Sequence, residues 1–147
     1  MATKVKPAPA AAREAQRLFF EIGMEHRQHV GAALGKLELT FSQAHALRLL
    51  DPDQPLPMSA LAERLFCDAS NVTGIADRLE SRGLIERRAA QGDRRIKALV
   101  LTSAGAAMRD LVRKIMSEPP AAIAALTVSD QRALRDILAR AVEHLRS

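Results

Sequence analysis

The sequence predicts a mainly α-helical chain interrupted by one small β-hairpin. Three observations carry that expectation. The apolar side chains are dominated by Ala and Leu, with no Trp, no Tyr and four Phe, a composition that favours helix over sheet. Apolar residues recur at helical spacing through most of the chain, between residue types that start and stop helices. One stretch, 84–101, breaks the pattern: two short strand-forming runs, LIERR and IKALVL, flank AAQGDR, a turn by length and composition. The 147 residues suit one domain, and nearly half are hydrophobic, enough for a core.

Residues 1–12, rich in Lys, Pro and Ala, read as a disordered basic tail without the unbroken apolar run of a signal peptide. Residues 13–37 read as a helix. Leu18, Phe19, Ile22, His26, Val30, Ala33, Leu34 and Leu37 share one broad face, while Phe20 and Met24 fall opposite. Apolar residues on two sides predict burial on two sides, and in so small a protein a second subunit is the natural cover. Thr40 and Gln43 have the spacing of a capping box, which starts a second helix carrying Leu47 and Leu50. DPDQPLP, 51–57, breaks the chain. A short helix, MSALAERLF, follows with Met58, Leu61, Ala62 and Leu65 inward. The next helix is capped by Asp68 and ended by Gly83.

The hairpin over 84–101 alternates imperfectly, because 96 and 98–101 are apolar on both parities. Thr102 caps a fifth helix, 103–117, with Ala107, Met108, Leu111, Val112 and Ile115 in one stripe. Pro119 and Pro120 stop it. A short apolar piece, 121–126, leads to Thr127 and Asp130, a second capping pair, and to a last helix bearing Leu134, Ile137, Leu138, Ala141, Val142 and Leu145. Two short helices joined by a tight turn and followed by a hairpin describe a winged helix-turn-helix.

Charge narrows the partner. The formal net charge is +5 and the isoelectric point is about 10.1, a balance that favours a polyanion and says nothing of fold. From Arg82 to Lys97 there are six basic residues and two acidic ones, so most of the net charge sits in the hairpin and its approach. No run reaches the roughly 18 apolar residues of a membrane span. The single cysteine, Cys67, permits no intrachain disulfide, and a reducing cytoplasm is the expected setting.

On a helical wheel begun at Asp68, Val72, Ile75, Ala76 and Leu79 cluster on one side. Ser70, Thr73, Gly74 and Asp77 lie opposite, with Asn71 and Arg78 on the flank. Small hydroxyls, an amide and a glycine can approach base edges closely, and Arg78 can reach a base or a phosphate. An ordinary solvated face would read the same way. In the hairpin, Arg87, Arg88 and Lys97 suit phosphates, and an arginine at the thin tip, Arg94 or Arg95, can enter a minor groove. Asp93, two residues before Arg95, is placed to hold that guanidinium through bidentate hydrogen bonds.

The run from LTFSQ through LAERLFCDASNVTGIADRLESRGLIERR to DRRIKALVLTSAG resembles the MarR family of bacterial transcription regulators. Asp93, Arg95, Leu101, Thr102 and Gly105 match its Asp-x-Arg wing motif, the Leu-Thr that closes it and a nearby glycine. The resemblance covers about residues 14–146. It implies a homodimer built from the first helix and the last two, so that 13–37 and 103–146 flank a DNA-binding lobe at 40–101 within one domain, 13–147. It also implies that the helix from Asp68 to Arg82 lies in a major groove, that Arg94 and Arg95 meet the minor groove, and that double-stranded DNA is bound as an inverted repeat. Many members are repressors released by an aromatic or lipophilic anion. Here His26, His29, His45 and Arg48 are the polar residues that could meet such an effector, though a histidine beside an apolar stripe is more often a packed core residue. Members that sense oxidants do so with a cysteine near the start of the first helix, and this chain has none there. Cys67 reads as a small packed hydrophobe. His26, His29 and Glu25 make a poor metal set, the fifth helix has no His, and no metal or other cofactor is expected.

Two rival classes stand beside this reading. An enzyme would need chemistry the motifs do not offer, since no Gly-rich phosphate loop or supported Ser–His–Asp set is present. A helical dimeric interaction module without DNA binding would use the same apolar faces and leave the basic hairpin without a role.

Overall fold

In the computed structural model, residues 9–146 are described. The tail expected over 1–12 therefore lies, for residues 1–8, outside the described residues, while Ala10 to Ala12 already belong to a helix. The elements in chain order are α1 (Ala10–Lys36), α2 (Phe41–Leu49), β1 (Leu56–Pro57), α3 (Met58–Leu65), α4 (Ala69–Ser81), β2 (Ile85–Ala90), β3 (Asp93–Leu101), α5 (Ser103–Ser117), α6 (Ala121–Ala124) and α7 (Val128–Arg146). Contacts group them into two compact units, one of 9–29 with 119–146 and one of 30–118.

Local chemistry sets the boundaries of the second unit. Thr40 and Gln43 form the expected capping box at α2, the Thr40 hydroxyl accepting from the Gln43 N–H and the Gln43 side chain accepting from the Thr40 N–H, each at 3.2 Å. Asp68 caps α4 by accepting the Asn71 N–H at 2.9 Å. Gly83 (φ 69°) closes α4 in a left-handed turn, with its N–H on Glu80 and the Leu84 N–H on Leu79. α3 ends one residue earlier than its sequence suggests, because Phe66 (φ 52°) takes the left-handed conformation and stands 96% exposed at the α3–α4 turn.

The sheet is antiparallel in the order β1-β3-β2. β1 was not foreseen: its two residues, Leu56 and Pro57, pair with Leu99 and Ala98. Proline lacks an N–H, which suits it to this edge position. A central β3, covered along its second half, accounts for the broken alternation there, since Ala98 and Leu99 are both buried although they face opposite ways. The buried residues form one cluster, in which Leu34, Leu47, Leu61, Val72, Leu79, Ile85, Leu99 and Val112 are at most 1% exposed. Each such side chain stabilises the fold by about 1.5–3 kcal/mol relative to exposure.

The junction of hairpin and α5 explains the Leu-Thr and glycine of the sequence motif. Thr102 donates its hydroxyl proton to the Gly83 carbonyl at 2.6 Å and its N–H to the Leu84 carbonyl at 3.1 Å, and its oxygen caps α5 through the Gly105 N–H. A side chain at Gly105 would collide with the Leu84 carbonyl. One threonine and one glycine thus lock the end of α4, the base of the wing and the start of α5 together.

The second unit ends at Glu118, which is extended as a residue before proline should be, and the other unit resumes at Pro119. Thr127 accepts the Asp130 N–H and donates its hydroxyl to that carboxylate at 2.6 Å. Gln131 ties α7 back to α6 through the carbonyls of Ala124 and Leu126. Large apolar side chains remain exposed on both long helices of this unit, among them Leu18, Phe19, Phe20 and Met24 on α1 and Ile137, Leu138, Val142 and Leu145 on α7.

Candidate nucleic-acid interface

α4 presents the face that its wheel predicts. Val72, Ala76 and Leu79 are buried and Ile75 half-buried, while Ser70, Asn71, Thr73, Gly74 and Arg78 are exposed. The hydroxyls are held in place rather than free: Ser70 donates to the Asp68 carboxylate at 2.7 Å and Thr73 to the Ala69 carbonyl at 2.9 Å. The Asp68 pKa lies below its ordinary value, lowered most by the Asn71 N–H and next by the Ser70 hydroxyl. Both hydroxyl oxygens keep acceptor capacity for an incoming donor. Nothing lies within 4 Å of where a Gly74 side chain would stand, so the fold itself does not demand that glycine.

The wing divides its cations into two groups. Arg87 is half-buried and bound within the fold: its guanidinium pairs with Asp77 at 2.6 Å and with Glu80, both on α4, and its N–H donates to Glu80. Burial opposes its charge, yet the bonds to Asp77 and Glu80 outweigh that and raise its pKa above the ordinary value. Arg87 therefore does not stand free for a phosphate, as its place in a basic run suggested; it ties the wing strand to α4. Arg82 likewise donates to the Leu37 and Glu38 carbonyls at the end of α1. Arg88 pairs with Glu86 at 2.7 Å and stays exposed.

Arg94, Arg95 and Lys97 form the second group, exposed on the wing and without an ion pair among the described residues. The register of the hairpin shifts between the Ala89–Lys97 and Ala90–Asp93 pairs, so Arg94, Arg95 and Ile96 stand on β3 with no residue directly opposite. Such a bulge bends a strand tip and re-aims its side chains. Gly92 (φ 91°) supplies the left-handed turn. Asp93 does act on Arg95, but not as its spacing implied. Its carboxylate accepts the Arg95 backbone N–H at 2.9 Å instead of the guanidinium. A short Asx side chain reaches the N–H two residues on more easily than the end of a long side chain, so the turn takes the carboxylate and leaves the guanidinium available.

The candidate effector residues divide between the units. His26, half-buried, and His29, exposed, belong to 9–29, whereas His45, half-buried, and Arg48, exposed, belong to 30–118. Arg48 lies against the Met116 sulfur at 3.9 Å. Cys67 is half-buried at the α3–α4 turn. Glu80 is a site-forming residue that sequence reasoning did not single out, and that reasoning missed the contacts of three it named: Asp77 on Arg87, Arg82 on the end of α1, and Thr102 on the Gly83 and Leu84 carbonyls. Asp77 and Glu80 carried one signal, two acids at i, i+3 on α4 facing a basic strand.

Comparison with known proteins places this geometry in a family. The MarR family model matches residues 39–97, which run from the start of α2 to the wing. The HTH-type transcriptional regulator YfiV of Bacillus subtilis (strain 168) is 32% identical over 113 residues, covering 74% of this chain and 71% of that protein. The organic hydroperoxide resistance transcriptional regulator of the same organism is 30% identical over 93 residues, covering 63% of each, so the chain spans a little under two thirds of that relative. Among solved structures, the YusO protein from Bacillus subtilis superposes with a TM-score of 0.75 at 27% identity, covering 94% of this chain and 99% of that one. With these relatives, and with the α3–α4 turn, the arginine-tipped wing and the Thr102–Gly105 lock all present, the chain belongs to the MarR family of transcription regulators.

Proposed function

We propose that this protein is a homodimeric, sequence-specific repressor that binds an inverted-repeat operator in double-stranded DNA and is released by a small aromatic or lipophilic anion. The observation that carries the reading is the pairing of two surfaces in one unit: the exposed face of α4, with Ser70, Asn71, Thr73, Gly74 and Arg78, and the cations Arg94, Arg95 and Lys97 on the adjoining wing, without an ion pair among the described residues. The lobe 40–101 then contacts DNA, with Ser70, Asn71, Thr73, Gly74 and Arg78 at base edges or phosphates in the major groove. Arg94 and Arg95 meet the minor groove and Arg88 and Lys97 the backbone, while Arg87 and Asp93 position these groups. The first helix and the segment from 103 to 146 supply the dimer surface, which the exposed apolar residues of α1 and α7 support. His26, His29, His45 and Arg48 are the effector candidates, and a cytoplasmic setting follows from the operator.

The experiment is selection of bound fragments from random DNA followed by gel shift at two salt concentrations. Enrichment of a two-fold symmetric sequence is expected, with retardation that weakens as salt rises. Failure to retard any fragment at low salt would leave a helical interaction module as the better account.

A further inference from the structure

A second basic site lies away from the reading helix. The end of α2, the 51–56 segment, α3 and α5 enclose a cleft of about 250 Å³, whose polar wall is Asp51, Gln54, Arg64 and Arg109. The Arg109 Nε is buried and has no hydrogen-bond partner. Neither Arg64 nor Arg109 has an ion-pair partner among the described residues. Asp51, the one acid in the wall, accepts the Asp53 N–H at 2.9 Å. Two cations sharing a cleft repel each other, and a buried donor without an acceptor costs more than an ordinary hydrogen bond is worth. The repulsion is relieved if an anion with paired oxygens occupies the cleft, because the guanidinium fork matches carboxylate and phosphate geometry.

We propose that this cleft binds a small hydrophilic oxyanion, a phosphate or a short carboxylate, held by the Arg109 and Arg64 guanidiniums. Its predominantly polar wall separates it in chemistry from a pocket for a lipophilic effector, and the inference does not depend on operator binding. Occupancy would brace α3 against α5, and α3 leads directly into the turn before α4.

Isothermal titration of the full-length protein without DNA tests the site, using sodium phosphate and sodium acetate as separate probes at constant ionic strength against sodium chloride. Saturable binding of one of the two anions, one per protomer, is expected, and the two arms tell the sources apart. Arg109→Gln and the more exposed Arg64→Gln should each weaken it roughly tenfold or more, the usual cost of losing a hydrogen bond to a charged group. Arg109→Lys, which keeps the charge and loses the fork, should weaken it too. Asp51→Asn should tighten it, a gain that misfolding cannot imitate. Arg94→Gln on the wing should leave anion binding in the cleft unaltered. Absence of saturable binding by both probes, or equal binding by Arg109→Gln and Arg64→Gln, overturns the proposal. So does weakened duplex-DNA affinity in Arg109→Gln with anion binding unaltered, which would assign the arginines to a DNA phosphate.

Discussion

Gly74 sits in the middle of α4, on its exposed face, with open space where a side chain would go. A helical glycine destabilises by about 0.5–1 kcal/mol relative to alanine, so its presence needs a reason outside the folded monomer. Close approach to DNA is such a reason. Gly74→Ala should therefore raise the thermal midpoint while weakening operator affinity, and paired melting and gel-shift measurements check both signs. A variant that is more stable and binds as tightly would remove Gly74 from the interface. Arg95 gives the complementary case. Its backbone is held by Asp93 and its guanidinium has no ion pair among the described residues, so Arg95→Ala should leave stability nearly unchanged and cost roughly 1–3 kcal/mol of operator binding. Operator affinity at matched salt decides it.

At the scale of elements, the wing is a lever whose angle depends on α4. Arg87 bridges β2 to Asp77 and Glu80, and the Thr102 lock holds the hairpin base. Arg87→Met keeps much of the side-chain packing and removes the bridge. It should destabilise the protein by about 1–2 kcal/mol, between the worth of an exposed ion pair and that of a part-buried charged hydrogen bond. Urea unfolding measures this, and an unchanged midpoint would reduce Arg87 to a surface charge. The α4 cap adds a pH dependence. The Asp68 pKa is depressed in the folded state below its ordinary 3.8. Its contribution is therefore fully present above that value and is lost as pH falls through the folded pKa. The stability difference between the protein and Asp68→Ala should accordingly be constant from pH 5 to 7 and shrink in more acid solution, as denaturation midpoints across that range would show. These elements also mark what the sequence discloses. Thr40 with Gln43, and Asp68 with Asn71, are contacts between residues three apart, so spacing alone reveals them. Arg87 meets acids seven and ten residues back on another element, and Arg82 meets carbonyls more than forty residues away. Basic density in the wing was therefore legible, but its division into bound and free cations was not. β1 escaped notice because a two-residue strand beside a proline has no period to detect.

For the whole molecule, the decisive quantity is exposed apolar surface. Phe19 and Phe20 are 63% and 59% exposed, and Leu145 is 84% exposed. Single exposed apolar residues are ordinary, but this many on two long helices fit the association surface proposed above. Sequence periodicity had placed apolar residues on both sides of α1, and these are residues the proposed dimer would cover. Sedimentation or light scattering at micromolar concentration should thus find a dimer. Phe20→Glu and Val142→Glu should shift it toward monomer by placing a charge at a surface that must lose water. Dimerisation and DNA binding are then coupled, because a two-fold dimer places its reading helices in major grooves about 34–36 Å apart on one face of the duplex. If Arg88 and Lys97 of both copies each neutralise a phosphate, log affinity should fall with log salt at a slope on the order of −4, and at about half that for a monomeric variant on a half-site. A monomer that binds the full operator with the full slope would separate the two properties and refute the symmetric arrangement.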